Sequence, residues 1–405
     1  MTPNDIERIA AWVVERGLAG SSEIDLLHGF CERCRDSGLA LSSAMLVVDT
    51  LHPVHEGRVF RWRHGALVDN AVEAYGSSAS GPTNADWQRS AFYHLMTSGT
   101  TEVRRRIGPP TDDDFLHFDR HRAAGETDYL ALVSRFAAAG IIGELDCVYS
   151  QWTTGHADGF GDNAIAILRR LAPTLSLAVK CASLARIAET LVEVYLGRDA
   201  GQRVLAGRIA RGVADRIGAV LWFSDLRGFT TISDSAAPDA IIPLLNDYAE
   251  AVIGAIHGAG GEVLKLIGDG VLAIFRIEGD AAEACRRALT AEADLRGRLR
   301  SLNQRRDAAG QPTTSVYLGL HVGDVFYGNI GSNERLDFTV IGPAVNEVNR
   351  IASMCRSVDR HVVMSSDFAA ATPDAERVQL VSVGRFALRG VGRAQELFTI
   401  DPAVL

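Results

Sequence analysis

Lysine is almost absent from this chain: Lys180 and Lys265 are the only two, and the rest of its 41 basic residues are arginine. A lysine kept against that background is a candidate for a task arginine does not perform. Long apolar runs are absent too. No stretch approaches the ~20 apolar residues of a membrane span. The N-terminus, MTPNDIERIAAWVVERG, carries early acids and no basic start, so it does not read as a signal peptide. Positive charge is in deficit, with a formal net charge of -9. That sign excludes broad nucleic-acid binding, while a local triphosphate pocket needs only a few cations. Cysteine is sparse: six residues scattered through 405. Such usage suits a reducing, cytoplasmic setting better than a disulfide scaffold. Cys31 and Cys34 form one CxxC, but a zinc site wants a second pair. The plainer reading is two residues on one helix.

What is present describes a globular α+β protein of two or three domains, with 47% hydrophobic and 22% charged residues. Residues 1–45 read as helical, in IERIAAWVVERG and EIDLLHGFCERCRDSG. SSAMLVVDTLH and GRVFRWRHGALV read as strands. Residues 76–89, YGSSASGPTNADWQ, read as a loop. FLHFDRHR, YLALVSRFAAAG and GELDCVYSQWTT supply further mixed elements. His117 and His121 form an HxxxH without a third ligand, so they are expected to be exposed or capping. A long helix then starts at GFGDN. In it Leu177, Leu184 and Leu191 recur every seven residues, with Ile187 and Val194 three beyond the second and third. This reads as a short heptad seam for a dimer, or as a helix packed on its own domain. The Gly- and Arg-rich segment 197–212 is the expected connector.

From residue 213 the order is strand, helix, two strands around Gly-Asp-Gly, helix, strand pair, a βαββαβ arrangement of ferredoxin-like type. Asp225 ends the first strand and Asp269 sits in the hairpin turn. With a right-handed crossover the first strand lies beside that hairpin, so the two carboxylates converge at one sheet edge. Paired acids there suit two Mg²⁺ ions, with phosphates and water as the remaining ligands. Taken singly, Asp225 as a cap and Asp269 as a turn residue explain themselves equally well. The turn Leu-Arg-Gly-Phe-Thr after Asp225 offers backbone N–H groups to phosphate.

FSDLRGFT (223–230), KLIGDGVLAIF (265–275), GLHVGDVFYGNIGS (319–332) and FTVIGPAVNEVNR (338–350) resemble, in order, the signature blocks of class III nucleotide cyclases. The resemblance spans roughly residues 215–400. It implies that Asp225 and Asp269 hold two Mg²⁺ or Mn²⁺ ions per active site, with the Leu226 carbonyl as an extra ligand. Arg227, Gly228, Phe229 and Thr230 then form the phosphate turn. Lys265 reads the adenine ring and Thr339 takes the second base-reading position. Many members carry Asp there; Thr is similar to the subgroup linked to bicarbonate stimulation. Asn346 positions the ribose and Arg350 stabilises charge on the α-phosphate. An ammonium donates to adenine N1, and a hydroxyl accepts from the amino group; guanine would oppose donor to donor at N1. Adenylate cyclisation is therefore expected, with guanylate cyclisation as the alternative.

His321 in GLHVG reads as a strand residue. Arg389 in FALRGVG resembles the family's closing block, loosely. The resemblance also implies a homodimer, because aspartates from one subunit meet the base and Asn/Arg groups of the other. The segment GFGDN…LRRLAPTLSLAV resembles a GAF-type sensor of an unknown small molecule or signal. The expected division is 1–171 sensor, 172–212 linker, 213–405 cyclase. A palm-type polymerase or diguanylate cyclase shares the paired acids, but its Gly-Gly-Asp/Glu-Glu-Phe signature is absent. A non-catalytic nucleotide-binding regulator is the rival from another class.

Overall fold

The computed structural model of the chain describes residues 1–76, 81–136, 142–143, 145–389, 391–392 and 394–404. Two compact units divide it, Met1–Leu191 and Val192–Leu405.

The first unit opens with α1 (Pro3–Leu18) and α2 (Glu23–Asp36). Thr2 and Ser22 cap them by accepting from the backbone N–H of Asp5 and Asp25. There follow β1 (Ser43–Asp49), β2 (Gly57–Arg63), β3 (Val72–Tyr75), α3 (Gly81–Gln88) and α4 (Ala91–Ser98). Then come β4 (Glu102–Arg106), α5 (Phe118–Ala123), β5 (Asp128–Arg135), β6 (Cys147–Thr154) and the long α6 (Asp162–Leu196), which runs past the unit's end. The strands form one antiparallel sheet in the order β3-β2-β1-β6-β5-β4. Alternation along β1 feeds two cores. Ala44, Leu46 and Val48 join residues of α1, α2 and α6 on one face. Met45 and Val47 join Phe92 and Phe118 on the other. Buried Glu23 ties α6 down, accepting from Arg186 Nη2 at 2.9 Å with Arg58 3.6 Å away.

Three expectations change here. Residues 77–80 of the expected loop lie outside the described residues, and 81–88 are the helix α3. Gln88 donates to Asn84 one turn back at 2.9 Å; a polar composition with a single large apolar residue, Trp87, hid the helix. The heptad seam is divided. Ile187 is buried in the first unit's own core, with Leu184 and Leu191 packed against it, while Leu177 and Val194 are exposed. His121 is neither exposed nor capping but buried. Cys31 and Cys34 are fully buried core residues, and burial pushes the Cys34 thiol up to about 12. Residues 137–140 of YLALVSRFAAAG lie outside the described residues.

The second unit runs α7 (Arg198–Leu205), β7 (Ala214–Leu226), α8 (Phe229–Ser235), α9 (Pro238–Gly258), β8 (Glu262–Ile267), β9 (Gly270–Arg276) and α10 (Ala281–Ala308). It continues with β10 (Val316–Gly331), β11 (Leu336–Ile341), α11 (Pro343–Val358), β12 (Val362–Ser365), α12 (Ser366–Ala371), α13 (Asp374–Arg377), β13 (Leu380–Phe386) and β14 (Gln395–Ile400). The sheet order is β13-β14-β12-β10-β7-β9-β8, with β11 added on β10. Trp222, Val220 and Phe275 pack under α9 and α10 on one face. Leu221, Ile274 and Tyr327 meet Ala200 of α7 and Ala344 and Val348 of α11 on the other. Among the described residues no helix is long and apolar enough to cross a membrane.

Candidate active site

β7 delivers Asp225 to its C-terminal end, one residue after Ser224↔Val271, the last position paired with β9. The β8–β9 hairpin closes with Ile267 opposite Gly270, leaving Gly268 and Asp269 as a two-residue turn. Gly268 takes φ 65°, the left-handed conformation such a turn asks of glycine. Gly270 is also tightly placed. A Cβ there would lie 3.1 Å from the Phe223 ring and 3.3 Å from the Ser224 carbonyl. That close approach brings the two acids near enough for Asp269 to act on the Asp225 carboxyl. Burial first, then the neighbouring Asp269 carboxylate, raise Asp225 from 3.8 to about 6; the Leu226 N–H, donating to its Oδ1 at 3.1 Å, pulls the other way. Tyr248 of α9, fully buried, lies close enough for both aspartate charges to act on it. Sequence reasoning missed Tyr248, whose only signal is a phenol on an apolar helix face.

The donor set fits a hard cation. Two carboxylates crowd one edge, and among the described residues no three His, Cys, Asp or Glu side chains come together in a way that could hold a metal ion. The protein thus offers two carboxylates and leaves the other positions to backbone oxygen, phosphate and water, the mode Mg²⁺ prefers.

After Asp225 the chain turns through exposed Arg227 and Gly228, the latter at φ 71°, into α8 at Phe229 and Thr230. Phe229 is half-buried against the core; Thr230 is exposed. Arg227 lies 3.9 Å from Asp359 and over the Tyr317 ring. Leu226 itself buries its side chain. Lys265 on β8 projects half-exposed and pairs with Asp337 of β11. Asp337 and Thr339 are two apart on that strand and so share a face. Sequence reasoning placed Thr339 but not Asp337.

Asn346 and Arg350 stand one turn apart on the outer side of α11, whose buried side is Ala344, Val348, Ile351 and Cys355. Among the described residues neither makes a hydrogen bond or ion pair with Asp225 or Asp269. The structure thus gathers the two aspartates, pairs Lys265 with the β11 face, and leaves Asn346 exposed and Arg350 half-buried. His321 is a buried strand residue, 2.9 Å from Ser365 Oγ and 3.7 Å from Glu347. Arg389 is exposed just after β13.

Residues 214–401 match the family of adenylate and guanylate cyclase catalytic domains. The second unit therefore carries a class III nucleotide cyclase catalytic domain. A 158-residue stretch is 34% identical to the adenylate cyclase of Anabaena cylindrica, covering 38% of this chain and 30% of that protein. Another of 182 residues is 28% identical to adenylate cyclase 1 of Rhizobium meliloti, covering 44% and 26%. This chain spans less than a third of either relative. Of solved structures, the adenylyl cyclase CyaB of P. aeruginosa aligns over 46% of this chain and 95% of that one, at 24% identity and TM-score 0.42.

Proposed function

We propose that this chain converts ATP to 3′,5′-cyclic AMP and pyrophosphate at a site shared by two copies of itself. The observation that carries the reading is the meeting of Asp225 and Asp269 at one sheet edge, with Asp225 raised to about 6. Asp225, Asp269 and the Leu226 carbonyl would hold two Mg²⁺ or Mn²⁺ ions. Such ions, when bound, supply positive charge to the ribose 3′-oxygen and the triphosphate. The turn Arg227–Thr230 presents N–H groups and a guanidinium to the phosphates. Lys265 donates to adenine N1, and the Thr339 hydroxyl accepts from the amino group. Asn346 holds the ribose in place for in-line attack, and Arg350 neutralises charge growing on the α-phosphate.

A homodimer is supported by what α11 and the sheet leave uncovered. Asn346 and Arg350 have no partner among the described residues of their own chain. Leu266, Ile267, Phe326 and Ile341 remain about half exposed, at 55%, 48%, 50% and 47%. Apolar surface of this extent near a half-built site favours a second copy. The first unit, a helix-flanked antiparallel sheet, acts as a GAF-like sensor that biases the pairing of the two cyclase units. Thr339 agrees with the bicarbonate-responsive subgroup.

Incubating the purified chain with ATP or GTP plus Mn²⁺, and weighing the product, tests this. Cyclic AMP is expected in clear excess; cyclic GMP in excess would make it a guanylate cyclase. Nucleotide binding without either product would make it a regulator.

A further inference from the structure

The first unit holds a cavity of about 380 Å³ between its sheet and the helices α3, α4 and α5. Its size lies within the range of small-molecule sites. The apolar walls are Met45, Val47 and Val59 from the sheet and Trp87, Ala91 and Phe92 from the helices. Rings at that density favour a flat, apolar ligand body.

The polar side chains of the cavity divide into those already used and those left over. At the floor, Tyr129 O–H donates to Gln151 Oε1 at 3.3 Å. The Gln151 amide then lies 3.2 Å from His121 Nε2, and His121 Nδ1 lies 2.5 Å from Glu126 Oε2. Read in one direction, every donor in this chain has an acceptor: phenol to amide, amide to imidazole, imidazole to carboxylate. These groups are spent. Arg61 faces Glu73 at 2.8 Å, and Arg63 faces Glu126 at 3.3 Å. Arg120, third of the lining arginines, makes no ion pair among the described residues. It stands near enough to His117 to act on its charge, as do Arg61 and Asp86. His117 is held in a left-handed backbone conformation, φ 70°, and makes no capping hydrogen bond with its side chain. Burial first, then Arg120, hold its imidazole below its ordinary value. Asp86 lines the cavity from α3 and makes no ion pair among the described residues.

We propose that this cavity binds a small planar aromatic acid bearing a ring N–H or O–H: the rings hold the body, Arg120 and His117 take the carboxylate, and Asp86 accepts from the ring donor. This names the ligand class of the sensory unit and rests on that reading only for its consequence in catalysis.

Calorimetric titration of the full chain with indole-3-acetate, tryptamine and 1-methylindole-3-acetate tests it. Indole-3-acetate should bind at least about tenfold more tightly than tryptamine, which shares its rings but carries the opposite charge. Arg120→Gln, at an exposed position that does not endanger folding, should weaken the acid by roughly tenfold. Methylating the ring nitrogen should weaken it in wild type but not in Asp86→Ala. Equal or tighter tryptamine binding, an unaffected Arg120→Gln, or no heat from any probe would each overturn the proposal. Heat is read without nucleotide turnover. Tight acid binding that leaves cyclisation unchanged would sink the sensor reading and spare the site.

Discussion

Asp225 carries a proton more readily than an isolated aspartate, and the sign of that shift has consequences. Its folded value, about 6, lies above the ordinary 3.8. Between those values the folded state binds more protons than the unfolded one, so this group's contribution to stability declines as pH rises through that window. At neutral pH, without metal, the pair is a source of repulsion. Asp225→Asn removes the repulsion and should melt no lower than wild type at pH 7 in chelator, with less change between pH 4 and 6. Mn²⁺ should raise the melting temperature of wild type and leave the variant nearly unmoved. Thermal unfolding with and without metal checks this, and a variant stabilised by Mn²⁺ as strongly as wild type would remove Asp225 from the metal site. Cyclisation in Asp225→Asn should fall by more than about a hundredfold.

At the scale of elements, the connector helix α7 is fastened by one carboxylate. Asp199 accepts from Arg203 Nε at 2.7 Å and from Arg276 Nη2 at 2.6 Å. Both guanidinium groups lie over the buried Tyr327 ring, at 5.3 and 4.8 Å. Arg203 also reaches Asp215 at the start of β7. This short helix thus grips the root of the strand that carries Asp225. Removing Asp199 leaves two largely covered arginines short of a partner, a loss of about 1–3 kcal/mol. Asp199→Ala should speed amide exchange in 198–205 markedly, while amides in the centre of β10 keep their protection. Unchanged exchange in α7 would show that Ala200 packing and the Arg203–Asp215 pair hold the helix without Asp199. This anchor was hidden in the sequence, where 197–212 reads only as a Gly- and Arg-rich connector. The pair with Arg203 is one helical turn away, but nothing local points Asp199 to Arg276.

For the whole molecule, the separation of the Asp225 pair from Asn346 and Arg350 predicts complementation. Asp225→Asn and Arg350→Ala chains should each be inactive alone. Mixed in equal amounts they should regain about a quarter of wild-type activity, since half the dimers are mixed and each has one intact site. Activity absent from the mixture, with both variants folded and dimeric, would confine the site to one chain.

Much of the second unit was legible in advance because its signals are local. A run such as AVLWFSD needs a buried strand, and Gly-Asp-Gly between apolar runs needs a hairpin turn. An Asn and an Arg four apart share a helix face by geometry alone. Those features rest on backbone sterics and periodicity, which residue order by itself determines. Tertiary structure alone decided that Lys265 finds Asp337, that Ile187 is buried while Leu177 of the same seam is exposed, and that His121 meets Gln151. Each depends on which surfaces meet across a long chain separation, and residue spacing carries no record of that distance.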